Sequence, residues 1–255
     1  MTTRANTIRP ASGMSPRMLA AVAGTGLLAM AILAPLAHFG VLEALVVPAD
    51  AGATLSNLRE SEGLFRAAIA AFLVVTFLDL VLAWALYQLL KPTSQPLALL
   101  TGWLRLAAAA AFVPALANLL DVAQLVGRTG TWTPAPAQLE SQVMASIASF
   151  RNGWDLVLAV FGLHLLGVGV LVFKSVQFPR FLGALIVIAG GGYLADTFTR
   201  ILAPNFDFTF SLFTFIGEPL LIVWLFWRVA RGFRSESSER DGRADPLLSP
   251  APISS

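Results

Sequence analysis

The sequence contains no cysteine, only two histidines, and few charged side chains, which make up 13% of its 255 residues. The absence of cysteine excludes disulfides, thiolate metal sites and a cysteine nucleophile, and it leaves the redox compartment undetermined. With only His38 and His164, a three-histidine zinc site is excluded, and a bis-histidine haem site requires these two to meet. The sequence therefore predicts no metal site and no cofactor.

Several functional signatures are also missing. There is no GxSxG elbow, HExxH pair or glycine-rich phosphate loop. The sequence has no arginine run typical of a voltage sensor and no clear inverted repeat typical of secondary transporters. The formal net charge of +2 is small, and the basic residues are dispersed over segment ends, so nucleic acid is not expected as a partner. An enzymatic activity stays open but is disfavoured.

Apolar residues dominate what is present, at 56% of the chain. Soluble domains carry roughly twice as many charged residues, about 25%. Six apolar segments each approach the roughly 20 residues that cross a bilayer as a helix. They cover Met18–Phe39, Leu64–Leu90, Pro96–Leu120, Gly153–Phe173, Phe181–Thr199 and Phe210–Trp227. The predicted fold class is all-α, a polytopic membrane protein with a bundle of six transmembrane helices, numbered here as spans one to six.

The chain divides into an N-terminal arm (1–17), a six-helix transmembrane domain (18–232) and a polar, proline-bearing tail (233–255) that we expect to be disordered. The first span also resembles a signal peptide. Its apolar run is longer than the roughly 7–15 residues of a signal sequence, which favours an uncleaved first helix.

Basic residues set the expected orientation, because cytoplasmic loops are rich in Lys and Arg. Eleven of the 17 Lys and Arg residues fall on the side that holds both termini, against four on the other side. The sequence therefore predicts a protein of the cell (inner) membrane with both termini in the cytoplasm, and the lipid bilayer as its surroundings.

The loop between spans three and four contains an amphipathic segment from Gln138 to Phe150 with apolar residues at helical spacing. We expect a surface helix that closes the top of the bundle, and a lid over a cavity is the alternative. Glycines recur at Gly162, Gly167 and Gly169 in span four and at 190–192 in span five, which predicts close packing of these two helices, with a break for ligand access as the alternative.

Ionisable residues inside spans are costly and are site candidates by default. Asp79 and Arg105 lie roughly 16 Å and 14 Å from the cytoplasmic ends of their adjacent, antiparallel helices, which predicts an ion pair between them. His164 and Glu218 lie near the midplane, and Pro219 predicts a kink beside Glu218. Each of these four residues has both a structural and a ligand-contacting interpretation.

A second group of polar residues lies toward the outer ends of the spans. The members are Arg66, Asn118, Asp121, Asp155, Asp196 and Arg200. We expect Arg66 to meet one of the aspartates, and the group to form a charged cluster that either seals the bundle or surrounds an opening.

Five segments resemble the bacterial domain-of-unknown-function 4386 family of integral membrane proteins. They are "SEGLFR" (61–66), "LDLVLAWALYQLLKP" (78–92), "GWDLVLAVFGLHLLGVGVLVFKS" (153–175), "FPRFLGALIVIAGGGYLADT" (178–197) and "GEPLLIVWLFWRVARG" (217–232), within a match over 42–232. The resemblance implies a membrane protein and supplies no activity. It emphasises Glu62, Arg66, Asp79, Asp155, His164, Asp196 and Glu218.

Three hypotheses on function follow. In the first, the protein binds or moves a lipid, a small hydrophobic molecule or a proton through its polar interior. In the second, it is a structural or accessory subunit whose buried charges only fix helix packing. The third and weakest is an intramembrane enzyme with Glu218 and His164 as an acid/base pair. Protein partners are not indicated by the sequence.

Overall fold

The computed structural model describes residues 14–127, 135–203, 205–206 and 208–231. Within these residues the secondary structure is helical, with no strand. Six helices are long and apolar enough to cross a membrane, which confirms the predicted all-α architecture with six spans. Most of the N-terminal arm, residues 128–134 and the C-terminal tail fall outside the described residues, so the division into three regions stays a prediction.

The helices follow one another with short connections. They are α1 (Pro16–Pro35), a π-helical segment (Leu36–Leu42), α2 (Glu43–Leu45), α3 (Ala51–Glu60), α4 (Glu62–Leu90), α5 (Gln95–Val126), α6 (Pro136–Lys174), α7 (Arg180–Leu202), α8 (Ser211–Thr214) and α9 (Gly217–Arg231). Span one runs from Pro16 to Leu45, spans two to five are α4 to α7, and span six comprises α8 and α9. The two ends of the bundle are called the α3 side and the Lys91 side below.

Local sequence explains where span one begins and where its α-helix gives way to a π-helix. The Ser15 hydroxyl accepts a hydrogen bond from the Met18 N–H at 3.3 Å, and Pro16 occupies the first helical position, where its missing N–H costs nothing. Pro35 lies inside the helix and cannot donate to the preceding turn. The backbone continues in the wider π geometry directly after it.

The amphipathic segment before span four has a different form from the one expected. Residues 138–150 are the first turns of α6, a continuous helix of 39 residues, so a separate surface helix is not confirmed. Their apolar face is buried, including Leu139, Val143, Ile147 and Phe150. The surface helix on this side of the bundle is instead α3, whose N-terminus is capped by Asp50 and which packs against spans two, three and four.

The six spans form a ring in chain order. Each span packs against the next, and span six packs against both span five and span one. A ring of this kind has one inner face for every helix, so polar side chains on those faces point toward a shared interior.

Spans four and five approach closely along their glycines, as predicted. A Cβ placed on Gly190 would lie 2.6 Å from the Gly162 carbonyl oxygen, and one placed on Gly169 would lie 2.8 Å from the Gly183 carbonyl oxygen. Real side chains essentially never come this near to backbone atoms. The absence of a side chain therefore allows the two helices to pack backbone against backbone.

The apolar core has two parts. The part on the Lys91 side draws buried residues from all six spans. On the α3 side, every described member of the core comes from residues 37–150, which are the end of span one, α3, spans two and three, and the first turns of α6. The α3-side half of span five consequently packs against span four, and α8 of span six packs against span five, outside this core.

Candidate functional site

Arg105 is the centre of the polar interior. Its side chain is 1% exposed, and its Nη2 lies 2.8 Å from Asp79 Oδ1. Nη1 lies 3.1 Å from His164 Nε2, and Nη2 also contacts the Met30 sulfur at 3.4 Å. The Phe161 ring lies 5.2 Å from the guanidinium carbon. The predicted Asp79–Arg105 contact is confirmed, and the guanidinium joins spans one, two, three and four.

The Asp79–Arg105 contact is an ion pair without a well-directed hydrogen bond at Asp79 Oδ1. Although the two atoms are 2.8 Å apart, Asp79 Oδ1 has no hydrogen bond of good geometry from the described residues, and neither has Arg105 Nε. A buried, misaligned ion pair is worth less than a bidentate one. Removing one partner alone is nevertheless costly, because the other charge stays in the interior.

The contacts of His164 determine its protonation state. Its Nδ1 lies 2.8 Å from the Thr101 carbonyl oxygen, which can only accept a hydrogen bond, so Nδ1 carries the proton. Its Nε2 faces Arg105, which can only donate, so Nε2 is the acceptor. His164 is therefore a neutral imidazole with both nitrogens occupied.

Glu218 lies at a break in span six. Helix α8 ends at Thr214 and α9 begins at Gly217, so span six is interrupted directly before Glu218. Pro219 lies in the first turn of α9, where its missing N–H costs nothing, and not at the predicted kink within a continuous helix. Gly217 allows α9 to approach span five closely at this point, because a Cβ there would lie 2.7 Å from the backbone of Leu185. The Glu218 side chain accepts a hydrogen bond of 2.9 Å from the Tyr193 hydroxyl. The residue stays partly exposed, in contrast to Arg105 and His164.

His164 and Glu218 belong to neighbouring but separate networks. The Phe161 ring contacts both networks, with its centroid 5.5 Å from the His164 ring and 6.0 Å from the ring of Tyr193, the partner of Glu218. Arg105 is close enough for its positive charge to act on Glu218. No hydrogen bond joins His164 to Glu218, two residues that the structure describes, so the geometry does not form the acid/base pair that the enzyme hypothesis requires.

Part of the expected outer cluster does assemble, between spans four, five and six. Arg200 Nη1 lies 2.8 Å from Asp155 Oδ2. Asp196 accepts hydrogen bonds from the backbone N–H groups of Phe210 at 2.5 Å and Ser211 at 3.0 Å, which fixes the start of α8. Asp196 is also close enough for its charge to act on Asp155.

The other members of the expected cluster lie elsewhere, and the prediction that Arg66 meets an aspartate is wrong. Arg66 pairs with Glu62 at 2.8 Å, one helical turn earlier, and donates to the Ala123 carbonyl oxygen at 3.0 Å. Asn118 donates to carbonyl oxygens of its own helix. Asp121 is exposed and lines a polar surface cavity of about 350 Å³ between spans three and four. The expected cluster is thus divided between two faces of the bundle.

Replacing Arg200 is expected to have a small effect. The Arg200 side chain is 57% exposed, so its pair with Asp155 is screened, and Arg200→Gln should lower the free energy of unfolding by no more than about 1 kcal/mol. Equilibrium unfolding in mixed micelles with a rising fraction of denaturing detergent measures this change. A loss of several kcal/mol would mean that the pair is a main support of the α3 side.

Some site residues were not identified from the sequence. Tyr193 is one of only two tyrosines and lies in a glycine-rich span, which is the signal that marks it. Thr101 contacts His164 through its backbone carbonyl, which its residue type does not reveal. Met30 and Phe161 are apolar residues of the kind that also faces lipid, so residue type does not predict their contacts with Arg105.

Comparison with known proteins identifies a family for this chain. The profile described as "Domain of unknown function (DUF4386)" matches residues 22–228. An uncharacterised protein of Archaeoglobus fulgidus is 32% identical over 157 residues, which are 62% of this chain and 80% of that protein. No solved structure matches the chain. The chain belongs to the DUF4386 family.

Proposed function

We propose that this member of the DUF4386 family binds a small amphipathic molecule in the α3-side half of its bundle, with Glu218 as the anchor for the polar group of the ligand. The single observation that carries the proposal is the state of the Glu218 carboxyl. Among the described residues it has one hydrogen-bond partner, the Tyr193 hydroxyl, and it belongs to a residue that is only partly buried, at a depth where the surroundings are apolar.

Depth makes this exposure informative. Glu218 lies thirteen residues before Arg231, the end of α9, which is about 20 Å along the helix and well inside a hydrocarbon layer of about 30 Å. Lipid tails cannot solvate a carboxyl group, so exposed carboxyls at this depth face water or a polar ligand. The break before Gly217 and the separate α3-side core leave spans five and six the freedom to admit one.

The charges nearby favour a ligand that donates hydrogen bonds, an amine in the first instance. Glu218, Asp155 and Asp196 contribute three carboxyl groups to this half of spans four to six, and Arg200 pairs with one of them. The Asp79–Arg105 pair is internally neutral and lies deeper. An amine would complete the charge balance beside Glu218, and its apolar chain would meet Phe161.

The structural hypothesis applies to the other network. Arg105 contacts side chains from spans one, two and four, and the hydrogen bonds of His164 are both satisfied within the protein. We assign these residues the role of an internal clamp, which holds spans one to four together on the Lys91 side of the ligand. In this account the clamp and the ligand contact are adjacent functions of one polar interior.

We further propose that the protein resides in the cytoplasmic membrane with both termini in the cytoplasm, which places Glu218 between the bundle centre and the outer surface. The excess of Lys and Arg on the Lys91 side supports this orientation. A reporter fused to the C-terminus, compared with one inserted in the 128–134 loop, tests it.

Thermal unfolding with a chain-matched pair of probes tests the binding proposal. Dodecylamine below its micelle concentration should raise the melting temperature of the wild-type protein by several degrees, and dodecanoate should not, because a carboxylate is repelled by Glu218 and its neighbours. Glu218→Gln has the same size and should lose the dodecylamine effect, whereas Asp121→Asn should keep it. Equal shifts in wild type and Glu218→Gln would contradict the proposal.

A further inference from the structure

A second feature lies on the outer surface of spans five and six and extends toward the Lys91 side from Leu220, two residues after Glu218. A groove of about 270 Å³ opens there between spans five and six. Its walls are Phe181 and Leu182 on one helix and Leu220, Val223, Trp224 and Trp227 on the other. All of these side chains are apolar or aromatic, and the groove runs over the eight residues from Leu220 to Trp227, which is about 10 Å of helix.

The groove faces outward from the ring. Phe181 is 62% exposed and Val223 is 63% exposed, so the groove lies on the bilayer-facing surface of the bundle. Leu182 is buried between the helices, and Leu220 is exposed like Phe181 and Val223. In a membrane-spanning chain, an apolar concavity on this surface has the right character for an acyl chain.

Two arginines mark the end of the groove. Arg180 is the first residue of α7 and stands between Pro179 and Phe181, both of which line the groove. Arg231 is the last residue of α9, and its guanidinium carbon lies 5.0 Å from the centroid of the Trp227 ring. Both are exposed, so each can reach a group at the membrane surface. Arg231 in addition lies beside Trp227, a wall residue of the groove.

We propose that this groove binds one anionic phospholipid, with an acyl chain along the wall of span six and the phosphate between Arg180 and Arg231. Charge complementarity selects this occupant, because an apolar slot ending in two guanidinium groups matches a hydrocarbon chain ending in a negative head group. Basic pockets between transmembrane helices bind anionic head groups in this manner. Arginine also suits phosphate, since its planar fork donates two parallel hydrogen bonds.

Native mass spectrometry in a mild detergent tests the proposal with phosphatidylglycerol and phosphatidylcholine of identical acyl chains as probes. The wild-type protein should retain one phosphatidylglycerol at concentrations where phosphatidylcholine is largely lost, with a difference of about tenfold or more in apparent affinity. Arg180→Gln combined with Arg231→Gln should abolish that difference. Val223→Trp, which fills the groove, should weaken the retention of both lipids.

A matched variant separates the groove from general surface charge. Arg17 is exposed on the same side of the bundle and lines no part of the groove, so Arg17→Gln should leave the preference unchanged. Equal loss in Arg17→Gln would overturn the proposal in favour of diffuse attraction. Equal retention of the two lipids by wild type would also overturn the proposal. The same holds if the wild-type protein is a dimer and Val223→Trp makes it a monomer, since a second copy of the chain would then occupy the groove. Melting curves of each variant verify that it is folded.

Discussion

Arg105→Met should lower the free energy of unfolding by about 3–5 kcal/mol, the usual cost of breaking a buried ion pair by removing one partner. The substitution leaves Asp79 in the interior without its countercharge and takes away the donor that faces His164 Nε2. The contact with Met30 is also lost. Unfolding in mixed micelles measures the change.

Two further variants show whether this loss arises from the ion pair. Arg66→Met removes an arginine from the adjacent span, where the side chain is 51% exposed, and should cost no more than about 1 kcal/mol. Combining Arg105→Met with Asp79→Leu removes both charges and should recover most of the stability. If the double variant is less stable than Arg105→Met alone, Asp79 is supported by groups other than Arg105 and the clamp is wrongly described.

Gly190→Ala should separate spans four and five. The new Cβ would lie 2.6 Å from the Gly162 carbonyl oxygen and 2.9 Å from the Leu166 backbone nitrogen, and neither atom can move without its helix. We expect a loss of about 1–3 kcal/mol, the usual range for overpacking, and a larger loss for Gly190→Leu. The same unfolding measurement detects it.

The next residue supplies the control. A Cβ on Gly191 would meet nothing within 4 Å, so Gly191→Ala should be neutral or slightly stabilising, since alanine favours helices more than glycine does. A similar loss in both variants would indicate that the cost arises from helix flexibility and not from the contact between the two spans.

The sequence predicts the spans and the Asp79–Arg105 contact for simple physical reasons. Runs of about 20 apolar residues have few alternatives to crossing a membrane. A short connection between two such helices places residues equally far from it at the same depth, so Asp79 and Arg105 had to lie close. Close packing along Gly162 and Gly190 follows in the same way, because small residues leave room for a neighbouring backbone.

Other features depend on rotation about helix axes and on competing local partners, which residue spacing does not determine. Arg66 is satisfied by Glu62 one helical turn away, a nearer partner than the aspartates of other spans. Asp196 caps α8, a separate short helix, where the sequence predicts one continuous span from Phe210. The contact between Tyr193 and Glu218 requires knowing which faces of spans five and six point inward.

The two polar networks divide the interior by depth and by exposure. The clamp around Arg105 is closed, with the guanidinium 1% exposed, and its bonds end on other parts of the protein. Glu218 has a hydrogen bond to Tyr193 and keeps part of its surface open. Polar groups are costly to place in a membrane, so we expect a ligand contact at the one that stays partly exposed.

Mass spectrometry of small molecules extracted from purified protein tests the role of Glu218 most directly. Wild type, Glu218→Gln and Asp121→Asn would be isolated from the same host membranes and extracted in parallel. Our account predicts an amphipathic molecule that wild type and Asp121→Asn retain and Glu218→Gln loses, with all three equally folded. The same extract from all three, together with a lower melting temperature for Glu218→Gln, would contradict it and would make Glu218 part of the scaffold.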